Sequence, residues 1–74
     1  MNTEQKIEAI LFFKGEPMSR KKLSEFLKVG QTEINEALQK LKESLKERGV
    51  VLQEKENDIT LGTAPELSDL IEKL

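Results

Sequence analysis

Over the first 45 positions, apolar residues recur at helical spacing in three bursts separated by short polar turns; the period then shortens to that of strands. Ile7, Ile10, Leu11 and Phe13, with Ala9, predict a helix from about Glu4 to Phe13 with one broad apolar side. Asn2 and Gln5 have the spacing of a capping box, and Gly15 suits a left-handed stop. Phe12 falls off the apolar side, near Gln5 and Glu8. Pro17 and Met18 read as a short extended link. Ser19 then caps a second helix, from about Arg20 to Leu27, whose expected buried stripe is Leu23, Phe26 and Leu27. Met18 and Leu23 stand at the two positions of a hydrophobic staple.

The third helix follows a tight turn. Gly30 is its expected N-cap, with Glu33 reaching back to the cap N–H and Val29 with Ile34 as a second staple. Ile34, Ala37, Leu38, Leu41 and Leu45 form a narrow stripe, and Gly49 is the expected stop behind Lys46 and Arg48. From Val50 the pattern is that of strands. Val50 to Gln53 and Ile59 to Thr63 flank the polar tip "EKEND", which predicts a hairpin. Thr63 with Glu66 has capping-box spacing, Pro65 falls in the first turn, and "ELSDLIEKL" reads as a last helix burying Leu67, Leu70, Ile71 and Leu74. Three helices, a β-hairpin wing and a C-terminal helix define an α+β, mostly helical, winged helix-turn-helix domain over residues 1–74. That fold serves DNA binding and protein assembly alike, so the surface has to decide.

Composition narrows the choice. With 74 residues, 36% of them apolar, and no Cys, the chain can build only a small core without disulfide staples. A partner or a second copy is expected to supply part of its stability. No apolar run reaches membrane-spanning length, and a cytoplasmic location is expected. His, Cys, Trp and Tyr are all absent, which removes the common nucleophile–base pairs and imidazole metal sites. The remaining carboxylates and lysines are scattered at helix-surface spacing. No enzyme activity, metal or cofactor is expected.

The charge pattern weighs against DNA. Net charge is −2, whereas affinity for phosphate needs a basic excess. On the third helix Gln31, Asn35, Gln39 and Lys42 share an outward side from which base edges are reachable in principle. Glu33, Glu36 and Glu43 stand beside them, and acids early with bases late fit the helix dipole. The wing tip, with Glu54, Lys55, Glu56 and Asp58, is net negative. Between Lys14 and Lys28, five bases face only Glu16 and Glu25. The triplet Arg20, Lys21 and Lys22 there is a candidate for weak phosphate contact or for meeting an acidic partner. A small winged-helix transcription regulator is the competing reading.

The segments "IEAILFFKGEPMS", "EINEALQKLKESLKERGVVL" and "ITLGTAPEL" resemble the N-terminal domain of the segregation and condensation protein B family, in order and spacing across nearly the whole chain. The "AILF…GEP" start and the "T-x-PEL" end carry the resemblance most; it is weakest in the wing, at Ile59 and Gly62. The resemblance implies a winged-helix domain that is the N-terminal part of a two-domain protein and forms homodimers. It also implies binding to the kleisin subunit, segregation and condensation protein A, and through it to a structural-maintenance-of-chromosomes ATPase. The role implied is regulatory assembly in chromosome condensation and segregation, at the nucleoid.

A homodimer contact involving the first helix is expected, since a wide apolar arc on a short chain needs covering. Phe12, off the buried side, is its first candidate anchor, the alternative being that the last helix folds over it within the same chain. Phe13, with Ile10, lies on the broad stripe, where the core is the stronger assignment and the interface the alternative. Val51 and Leu61 in the hairpin, and Leu70 and Leu74 in the last helix, suit either a core or a dimer contact.

Overall fold

Local signals place the helix ends. The computed structural model describes residues 1–74. Helix α1 (Thr3–Lys14) opens on a complete capping box, in which Asn2 accepts from the Gln5 N–H while Gln5 accepts from the Asn2 N–H. It closes at Gly15, whose φ of +66° is the left-handed conformation that glycine adopts without strain. Ser19 caps α2 (Arg20–Leu27) by accepting from the Lys22 N–H, and Gly30 is the N-cap of α3 (Gln31–Ser44). Glu33 does not return to that cap. Its carboxylate accepts instead from the Thr3 hydroxyl at 2.7 Å, tying the start of α3 to the start of α1.

The link before α2 is a strand. Met18–Ser19 (β1) pairs antiparallel with β3 (Asp58–Thr63), which pairs in turn with β2 (Val50–Lys55), giving a three-stranded sheet in the order β1-β3-β2. Two residues are too few to show a period, so β1 left no alternation to read. The hairpin is longer than expected. Lys55 pairs with Asp58 across a two-residue turn in which Glu56 adopts φ +58°.

Ten buried apolar residues form one cluster, drawn from α1 (Ile7, Leu11), α2 (Leu23), the α3 stripe through Leu45, and the hairpin (Leu52, Ile59). Met18 and Val29, one member of each staple, pack against it. Only 11 of 74 residues are buried, all of them apolar, so much of the chain's apolar surface lies outside the core.

Four further expectations fail. Phe13 is 86% exposed, and of α1 only Ile7 and Leu11 are buried. Phe26 is 72% exposed, because an eight-residue helix seats one narrow stripe and Leu23 with Leu27 fill it. Helix α3 stops at Ser44, short of Gly49. The stripe has only Arg48 and Gly49 to offer to a further turn, and the chain tightens through Lys46-to-Glu43 and Arg48-to-Leu45 hydrogen bonds.

The fourth is the C-terminal end. Thr63 stays in the ladder opposite Val50, so Ala64 becomes the N-cap of a 3₁₀ turn (Pro65–Leu67) without a side-chain cap. Ala64 is buried and Leu67 lies over Gly49, but α4 (Ser68–Glu72) is only five residues long. Leu70, Ile71 and Leu74 remain exposed.

Candidate protein-docking faces

On α1, successive residues turn by about 100°, which sets the directions of its two phenylalanines. Ile7 and Leu11 face the core. Phe12, 82% exposed, and Phe13 both lie on the outward half of the helix, with Ala9 on the ridge between them. Ala9 accordingly lines both of the largest surface hollows, one on each side of α1.

The first hollow runs between α1, β1 and α2. Its apolar lining is Ile10, Phe13, Pro17, Met18 and Phe26, rimmed by Lys14 and Lys22 on one hand and Glu16 and Asp58 on the other. The second lies between α1 and the start of β2. Phe12 joins Leu45, Val50 and Leu61 there, with Glu8 and Arg48 at its polar edge. Phe12 and Leu61 also meet Leu11 and Val50 beside Gly15. A large aromatic seated in a shallow apolar hollow with a charged rim has the anatomy of a protein-contact anchor.

The candidate residues are therefore divided. Phe12 and Leu61 share one face and Phe13 occupies another. Val51 lines a separate hollow with Leu45, Lys46 and Glu66. Leu70 and Leu74 stand apart on α4, which does not cover Phe12. Phe26, Met18 and Val50 also belong to these faces. Phe26, expected in the buried stripe of α2, and Val50, the first residue of β2, are both exposed.

The basic triplet is split three ways. Arg20 Nη2 donates to Glu54 on the wing at 2.9 Å and Nη1 to Asn35 Oδ1 on α3 at 3.0 Å. Lys22 rims the Phe13 hollow, and Lys21 is exposed and makes no ion pair. Lys42 lies 3.9 Å from the same Glu54. Asn35 and Lys42, half of the polar set that a DNA-reading α3 would present, are thus engaged with an arginine and an acid of the same chain. An acidic wing folded onto the outward side of α3 opposes phosphate there.

The chain is a winged helix whose three aromatic side chains lie outside its core and whose third helix is engaged by its own wing. The family model described as "Segregation and condensation complex subunit ScpB" matches residues 5–74, and the chain belongs to that family. A segregation and condensation protein B from Carboxydothermus hydrogenoformans is 36% identical over 76 residues, covering all of this chain and 41% of that protein. The chain thus spans about two-fifths of this relative's length. The crystal structure of a dimer of the ScpB N-terminal domain complexed with a ScpA peptide superposes with a TM-score of 0.85. Identity there is 26%, over 95% of this chain and 90% of that one.

Proposed function

We propose that the chain is a non-enzymatic, dimer-forming regulatory subunit of a bacterial structural-maintenance-of-chromosomes complex. It holds the kleisin subunit, ScpA, and through it the ATPase, and it acts in the cytoplasm at the nucleoid in chromosome condensation and segregation. One observation carries this reading: nearly the whole chain shares its fold with a ScpB N-terminal domain that is a dimer bound to a ScpA peptide. Phe12, Phe13 and Phe26, the only three aromatic residues, all stand outside the core, as a domain that works by docking requires. The wing acid Glu54, placed over α3, favours this reading over a transcription regulator.

The test is co-elution of the purified chain with ScpA from the same organism on size exclusion, at near-physiological salt. A shared peak earlier than either component is expected. Separate elution at concentrations well above micromolar contradicts the proposal.

A further inference from the structure

We propose that the Phe12 face of α1 seats a second copy of this chain in a two-fold contact, with Glu8 of each copy paired to Arg48 of the other. The inference deepens the proposed function and rests on its dimer-forming part.

A two-fold contact uses the same patch on both copies, so the patch must be complementary to itself in shape and charge. The Phe12 face meets that requirement. Its centre is apolar, with Phe12 projecting beside Val50, Leu61 and Leu45. Its edge carries one acid and one base on different elements, Glu8 on α1 and Arg48 in the turn before β2. Neither forms an ion pair within the chain. An axis passing between the two elements sets each Glu8 against the other copy's Arg48, and each Phe12 against the other copy's apolar hollow. The Phe13 hollow is a separate face, with two bases, Lys14 and Lys22, and two acids, Glu16 and Asp58, on its rim. Ala9 separates the two faces, so self-association through Phe12 leaves the Phe13–Phe26 groove uncovered.

Sedimentation equilibrium of residues 1–74 tests the assignment, with circular dichroism confirming that each variant folds. The wild type and Phe13→Glu are expected to dimerise, whereas Phe12→Glu sediments as a monomer at the same concentrations. Glu8→Arg and Arg48→Glu should each weaken the dimer by roughly tenfold or more, since like charges then face each other. An equimolar mixture of those two variants should regain wild-type affinity, because both cross-pairs become opposite in sign. A dimer unaffected by Phe12→Glu, or a mixture no tighter than its components, overturns the assignment while leaving the dimer itself standing. A wild type that stays monomeric at high concentration overturns the dimer-forming reading along with it.

Discussion

Arg20 at the start of α2 and Glu54 on the wing meet at 2.9 Å, and the same guanidinium reaches Asn35 on α3. One side chain thereby joins three elements on the side of the domain that a DNA-binding relative would turn to the duplex. The arginine that opens the basic triplet is spent on holding an acidic wing against α3.

That junction has a measurable stability. Both side chains are partly exposed, at 25% and 37%, so the pair is screened and worth about 0.5–1 kcal/mol, near the upper part of the surface range. Arg20→Ala and Glu54→Ala should each lower the unfolding free energy by about that amount, with a double-mutant coupling of about 0.5 kcal/mol or more. The coupling should shrink in high salt. Additive effects in urea titrations would show that the contact contributes nothing net.

Gly15 ends α1 with φ +66°, and no atom lies within 4 Å of where a Cβ would stand. Gly15→Ala is therefore a pure backbone test. A loss of about 1 kcal/mol is expected, with Gly15→Asn costing less because asparagine tolerates the left-handed region. Equal stability of the two variants in chemical denaturation would contradict the local account of this helix end.

Ile34 and Phe26 make the sharpest contrast between core and surface. Ile34 is fully buried at the centre of the cluster, and Ile34→Ala should cost about 2–5 kcal/mol, enough to leave so small a domain largely unfolded. Phe26→Ser removes a larger side chain from an exposed position and should change stability by no more than about 0.5 kcal/mol. Thermal melts of the two variants check both values together.

The fold was legible because α3 and the hairpin follow their periods closely: every residue of the Ile34-to-Leu45 stripe is buried, and the two β-rich runs pair in register. The caps at Asn2, Ser19 and Gly30 were legible for the same reason, since each depends on residues adjacent in sequence. The α1 surface was harder to read. Counting Phe13 into one broad arc ignores that the buried residues Ile7 and Leu11 are only about 40° apart, with Phe13 well over 90° from both. The Arg20 junction could not be read at all, because its partners lie 15 and 34 positions away and no local rule pairs them. The C-terminal helix failed similarly. Its apolar spacing is sound, but nothing in the domain reaches out to cover Leu70, Ile71 or Leu74.

The most direct measurement is sedimentation velocity of the chain mixed with labelled duplex DNA at near-physiological salt. An acidic wing over α3 and a net charge of −2 predict that the chain leaves the DNA boundary where it was. A DNA boundary that moves with the chain, and does so selectively for one sequence, would contradict the protein-assembly account and return Gln31, Gln39 and Lys21 to the role of DNA contacts.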